Sequence, residues 1–188
     1  TEKLFYTDSH QQEFTAEVVS CRPCDNGYEA VLSRTAFFPE GGGQAADTGV
    51  IDGIRVYNVQ EKGEQIFHYL EGELEEGKTV TGQIDWDKRF SRMQQHSGEH
   101  IVSGIVHARF GYDNVGFHLN DELCTLDLSG PLTKEELREV GNAANEAVFA
   151  NVPVQVSYPS KEELKTLDYR SKIEIDGQVR IVTIPGYD

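Results

Sequence analysis

The sequence is poor in cysteine, poor in positive charge and without a long apolar run. Three cysteines among 188 residues are an odd number, and only Cys21 and Cys24 are close in sequence. A disulfide framework is therefore not expected, and a reducing cytoplasm is the expected compartment. Seventeen Lys and Arg against 32 Asp and Glu leave a net charge of −15. That balance argues for solubility and against a polyanion-binding tail or a basic membrane-surface helix, while leaving room for a local basic groove. No stretch reaches the roughly 18 apolar residues of a membrane span. Residues Thr1 to Ser20 carry charges throughout and have no apolar centre, so no secretory signal is expected. What remains is an ordinary globular composition of 38% apolar residues plus 18 glycines, enough for one domain or two small ones.

Hydrophobic patterning divides the chain near residues 84–88, giving an expected first domain over 1–86 and a second over 87–188. The first half reads as strands and turns. Glu13–Val19 and Ile54–Val59 alternate polar and apolar positions, and Tyr28–Leu32, Gln65–Leu70 and Thr79–Ile84 are further strand candidates. Asn26-Gly27 and Asp52-Gly53 predict hairpins, since a type I′ turn needs positive φ at both central residues. Short strands at this spacing suggest a small β-barrel. The second half mixes helix and strand. A long helix is expected over Asp87–Phe110, with Phe90, Met93, Ser97, Ile101, Ile105 and Ala108 as its buried stripe. A strand pair follows at Asp113–Leu119 and Glu122–Leu128. Thr133 with Glu136, and Ser160 with Glu163, are capping boxes that open two more helices, and Val179–Ile184 is a last strand. The expected fold class is α+β.

The chemistry-bearing motif of the long helix is His96-Ser97-Gly98-Glu99-His100. Histidines at i and i+4 lie one turn apart on one face, a spacing that lets both imidazoles reach one divalent metal. Ordinary surface helices carry the same spacing, and a firm zinc site needs three or four ligands. The spelling also matches the H-x-x-E-H peptidase signature, in which Glu99 would be the general base and Glu162, Glu163 or Glu174 the third ligand. The second motif is Phe37–Gly49, FFPEGGGQAADTG. Three consecutive glycines cost folding entropy and are tolerated where backbone must approach something closely. No Gly-Lys-Ser/Thr follows, so it is not a P-loop. Cys21-Arg22-Pro23-Cys24 stands alone, without a second pair, and reads as part of a turn. Lys88, Arg89 and Arg92 form the only dense basic cluster.

FFPEGGGQAADTG resembles the glycine-rich motif shared by alanyl-tRNA synthetases and the larger AlaX-type trans-editing proteins. RMQQHSGEHIVSGI resembles their zinc-ligand helix, and NVGFHLNDELCTLDL the strand pair after it. The resemblance runs from about Thr7 to Asp188. It implies a small N-terminal β-barrel followed by an α+β editing domain like that of threonyl-tRNA synthetase. It implies hydrolysis of the ester joining a wrong amino acid, chiefly serine and also glycine, to tRNA(Ala). It further implies Zn2+ held by His96 and His100 with a later Cys-x-x-x-His, which is expected beyond Asp188 because VRIVTIPGYD resembles the strand that leads into it.

Glu99 departs from the family, whose members tend to carry a neutral polar residue there; its carboxylate is expected to handle a proton in catalysis or to attract the substrate's ammonium. Independently of the resemblance, the Gly41, Gly42, Gly43 and Gln44 loop is expected to lean over the zinc cleft, His118 lies on a strand that could pack beside the helix, and the basic cluster Lys88, Arg89 and Arg92 is the expected holder of the tRNA 3′ end. Asn114 takes the place of the small polar residues by which relatives recognise serine. Phe117 stands where relatives carry small polar residues. The competing expectations are an H-x-x-E-H metallopeptidase and an editing fold that binds tRNA without metal.

Overall fold

The computed structural model describes residues 1–167, 169 and 179–188. In chain order its elements are β1 (Glu2–Lys3), a single 3-10 turn (Leu4–Tyr6), β2 (Glu13–Cys24), β3 (Gly27–Leu32), β4 (Arg34–Thr35), β5 (Gly49–Ile51), β6 (Ile54–Lys62), β7 (Gln65–Leu70) and β8 (Thr79–Ile84). They are followed by α1 (Trp86–Phe110), β9 (Asn114–Leu119), β10 (Cys124–Leu128), α2 (Lys134–Phe149), β11 (Gln155–Ser157), α3 (Lys161–Leu164) and β12 (Ile181–Thr183). The chain forms two compact units, Thr1–His96 with Gly116–Asp127, and Ser97–Val115 with Leu128–Asp188. The change of pattern at residue 86 is where α1 begins, whereas the units divide ten residues later, inside that helix.

In the first unit six strands close on one another in the order β2-β3-β7-β6-β5-β8. The alternation of their sequences is the reason. On β8, Val80 and Ile84 face inward while Thr79, Thr81 and Gln83 face out, and on β7 Ile66, His68 and Leu70 are the inward set. Of these, Val80, Ile84, Ile66 and Leu70 make one apolar core with Val18, Leu32, Phe37, Ile51, Val56 and Val59. Each such side chain contributes about 1.5–3 kcal/mol on leaving water. Asp52 and Gly53 have φ of 47° and 80° and join β5 to β6 across the Ile51–Ile54 pair, the type I′ geometry expected of Asp-Gly.

The other hairpin differs from expectation. Cys24 pairs with Gly27, so the loop is Asp25-Asn26, and positive φ falls on Gly27 alone. The Cys-x-x-Cys segment is correspondingly not in the turn but on β2, paired with Ala30 through Gly27 of β3. Residues three apart on a strand point to opposite faces and lie about 10 Å apart, too far for a disulfide. Cys21 accepts a hydrogen bond from the Leu74 amide at 3.3 Å, and burial pushes its thiol pKa up. Neither observation makes a redox pair.

His68, on β7, is fully buried inside the barrel. Its Nδ1 lies 3.2 Å from the Ala30 carbonyl, which can only accept, so Nδ1 carries the proton. Nε2 then accepts from the Thr35 hydroxyl at 2.8 Å, and Thr35 in turn accepts from the Phe37 amide at 3.1 Å. Burial pushes the imidazole pKa down from 6.5 to about 4, against a smaller upward pull from Ala30. The unfolded chain therefore binds the proton first as pH falls. Stability from this residue is intact above pH 6.5 and is lost progressively towards pH 4. Lowering the pH from about 7.5 to 5 should cost about 2 kcal/mol through His68. Urea unfolding at both pH values checks this against His68→Gln, in which that part of the slope disappears; equal slopes in the two proteins would contradict it.

The second unit packs the C-terminal part of α1 on α2. Ile101, Ile105 and Val106 meet Val140, Ala143, Ala147 and Ile184. Both capping boxes form. Thr133 caps α2 with Glu136, and Ser160 caps α3 with Glu163. β11 and β12 pair antiparallel, Gln155 to Thr183.

The buried face of α1 is a second correction. Phe90 is 40% exposed and Ala108 is exposed. The first turns bury Arg89 and Arg92 instead, at 3% and 5% exposure. Apolar periodicity does not register an arginine such as Arg89, whose charge is matched by the buried Asp47.

Candidate functional site

The glycine-rich segment is a structured loop docked on β9. The Gly41 and Gln44 amides each donate to the other's carbonyl, at 3.1 and 3.0 Å. The Leu119 amide donates to the Gly43 carbonyl at 2.8 Å, and the Ala45 amide to the Leu119 carbonyl at 3.3 Å. Gly43 has φ of 84°, and a Cβ there would overlap the Phe117 carbonyl oxygen. Glycine is thus required at 43 on two grounds, backbone conformation and close approach. The loop aims Gln44, 6% exposed, at the helix. Its Oε1 lies 2.8 Å from His96 Nδ1. Phe117, buried on β9, sets its ring 5.2 Å from the His96 imidazole.

One turn along α1, His100 Nδ1 lies 2.6 Å from Asp188 Oδ2. The approach of Asp188 has a sequence reason. The turn Ile184–Asp188 is closed by the Ile184 amide donating to the Asp188 carbonyl at 2.6 Å and the Asp188 amide to the Ile184 carbonyl at 3.0 Å. Gly104, four residues after His100 on the same row, lets the Tyr187 carbonyl lie against the helix where a Cβ would collide. Between the histidines in sequence, Glu99 is 7% exposed. Its Oε1 accepts from Asn114 Nδ2 at 2.6 Å, and its Oε2 is 3.8 Å from His100 Nε2.

His96, Glu99 and His100 each offer a ligand atom, and these atoms lie within 4.8 Å of one another. Two imidazoles one turn apart are donors suited to zinc, with the Glu99 carboxylate beside them. Each imidazole has its Nδ1 engaged by an acceptor, the arrangement that presents the other nitrogen to a metal. The residues present therefore fit a zinc ion.

Other expected site residues lie elsewhere. His118 is exposed, on the opposite face of β9 from Phe117. Gly41 and Gly42 are exposed at the loop tip. Of the three basic residues, only Lys88 is on the surface, beside Asp121 at 3.4 Å. Arg89 is a correction to the expected tRNA contact. Its guanidinium is buried on Asp47, with the Ala36 carbonyl at 2.6 Å and the Ser9 carbonyl at 3.1 Å. Arg92 is likewise turned inward, to the Ala46 carbonyl at 2.6 Å and Asp121 at 2.5 Å. Arg92 and Lys88 together pull the Asp121 carboxyl below its ordinary pKa. For the peptidase reading, Glu163 caps α3 and Glu162 pairs with Lys165 at 3.1 Å, while Glu174 lies outside the described residues. Neither Glu162 nor Glu163 belongs to the group of described residues that could hold a metal, which is His96, Glu99 and His100.

Sequence reading misses Asp188 as a partner of His100. The available signal is Gly104, which continues the His96, His100 row with a residue that has no side chain. No helix of the described residues is long and apolar enough to cross a membrane.

Residues 3–88 match the family model for tRNA synthetases class II (A). The alanyl-tRNA editing protein Aarsd1 of Rattus norvegicus is 33% identical over 202 residues, covering 98% of this chain and 49% of the relative. The alanyl-tRNA editing protein AlaX-L of Pyrococcus horikoshii is 32% identical over 196 residues, covering 100% and 48%. The alanine–tRNA ligase of Ignicoccus hospitalis is 34% identical over 201 residues, covering 100% of this chain and 22% of the ligase. The chain spans about half the length of the editing proteins it matches. Over nearly its whole length, then, the chain is homologous to the alanyl-tRNA editing proteins and to a segment of alanine–tRNA ligase.

Proposed function

We propose that this chain provides the hydrolytic site for deacylating mischarged tRNA(Ala), chiefly seryl-tRNA(Ala) and also glycyl-tRNA(Ala), in the cytoplasm. The observation that carries the reading is the His96, Glu99, His100 group on one turn of α1, in a chain homologous to editing proteins. His96 and His100 would hold Zn2+, with further ligands outside the residues described. When bound, the ion supplies a Lewis acid for the ester carbonyl and for the oxyanion that develops there.

The chain's own residues do the remainder. The ester is already activated, so positioning dominates. Gln44 and Phe117 fix the His96 ring from one side. Asn114 holds Glu99 Oε1, which leaves Oε2 directed towards His100. In that place the carboxylate takes the proton of an attacking water or receives the substrate's ammonium. The docked loop Gly41–Gln44 limits the room beside the amino acid. With Arg89 and Arg92 turned inward, Lys88 is the member of the basic cluster left to meet a phosphate.

The homology favours this reading over a peptidase. The test is a substrate panel with the intact zinc-loaded protein. Release of serine and glycine from tRNA(Ala), with correctly charged alanyl-tRNA(Ala) and peptides spared, is the expected outcome. Peptide cleavage without deacylation would support the metallopeptidase, and tRNA binding with no hydrolysis would leave a binding module.

A further inference from the structure

The two imidazoles of α1 have different partners on the same ring atom, Nδ1. A neutral imidazole carries one proton, and the nitrogen without it supplies the lone pair a metal needs. Asp188 Oδ2, at 2.6 Å from His100 Nδ1, belongs to a carboxylate, which when ionised only accepts. The proton of His100 is therefore on Nδ1. Gln44 Oε1, at 2.8 Å from His96 Nδ1, imposes the same tautomer on His96. From the deacylase reading and this geometry we infer that Gln44 and Asp188 are positioning residues: they hold His96 and His100 as Nδ1–H tautomers and so assign Nε2 as the ligand atom of both.

The supporting structure around each partner is built for that task. Gln44 is locked by backbone bonds of its loop to Gly41 and of that loop to Leu119. Asp188 is carried by a turn that rests on α1 only because residue 104 is glycine. The two partners also differ in kind. A carboxylate raises the basicity of the ring it accepts from, whereas a neutral amide mainly orients it. His100 is accordingly the stronger donor of the pair, and the loss of Asp188 should weaken metal binding more than the loss of Gln44.

The tautomers are read without tRNA, so a failure here is distinguishable from failure of the deacylase reading. Nitrogen-15 NMR of the metal-free intact protein, well above the imidazole pKa, should show both rings protonated at Nδ1. Gln44→Met should release His96 towards the Nε2–H form and leave His100 unchanged. Asp188→Ala should do the converse. Asp188→Asn, which keeps an acceptor but not the charge, should retain the tautomer. Zinc affinity, measured by competition with a chelating dye, should fall about 10- to 100-fold in Gln44→Met and Asp188→Ala, and less in Asp188→Asn. Circular dichroism shows whether each variant is folded, and the tautomers of the wild type stand whatever the variants do. Protonation at Nε2 of either ring in the wild type, or wild-type zinc affinity in both Gln44→Met and Asp188→Ala, would overturn the inference.

Discussion

Asp47→Ala is expected to lower the unfolding free energy by about 3–5 kcal/mol. Asp47 and Arg89 are 1% and 3% exposed as side chains. The carboxylate meets the Arg89 guanidinium edge and also accepts from the Phe38 amide at 2.7 Å. Arg89 spans from α1 to the Ala36 and Ser9 carbonyls. Removing Asp47 leaves a guanidinium in a low-dielectric site with two carbonyls but no countercharge, and leaves the Phe38 amide without its acceptor. An uncompensated buried charge is the costliest of these losses. Urea unfolding measures it. Lys165→Ala is the control, because its partner Glu162 is 83% exposed and the pair is solvated; no measurable change is expected there. An Asp47→Ala protein as stable as the wild type would show that the buried pair does not hold the first turns of α1.

Gly43→Ala is expected to cost about 2–4 kcal/mol and to undock the glycine-rich loop. The added Cβ meets positive φ and the backbone carbonyl of Phe117 together, and backbone cannot turn aside as a flexible side chain can. The loop must lift from β9, and Gln44 then leaves His96. Gly41→Ala is the internal comparison, since nothing lies within 4 Å of its Cβ position, and it should change stability by less than about 0.5 kcal/mol. Unfolding curves of the two variants check the contrast. Equal stabilities would mean that the loop is not held by close backbone approach.

The alternation of β7 and β8, the Asp52-Gly53 turn and both capping boxes are local signals, legible in the amino-acid sequence, and each forms where its residues stand. The histidine helix is legible for the same reason, since i, i+4 spacing is decided within one element. What escapes is long-range. Arg89 and Arg92 read as a basic surface cluster because nothing near them in sequence reveals that Asp47 and Asp121 are their partners. Of the expected apolar stripe Ile101 and Ile105 are buried, whereas Phe90 and Ala108 are exposed and the helix buries Arg89, Arg92, Glu99 and Ser103 as well. Cys21 and Cys24 read as a turn because Asn26-Gly27 suggests one, whereas β2 runs on and moves the loop to Asp25-Asn26. The glycine-rich motif points Gln44 at substrate, yet its amide is engaged by His96. Asp188 gives no local signal, being 88 residues from its partner.

The central claim is that His96 and His100 make this chain an ester-hydrolysing site. Its most direct test is the rate of serine release from seryl-tRNA(Ala) by the intact zinc-loaded protein and by the double variant His96→Ala with His100→Ala, shown to be folded by circular dichroism. The account predicts hydrolysis by the wild type and a loss of about 10²–10³-fold or more in the variant, together with loss of bound zinc. A folded double variant that releases serine at the wild-type rate would contradict it.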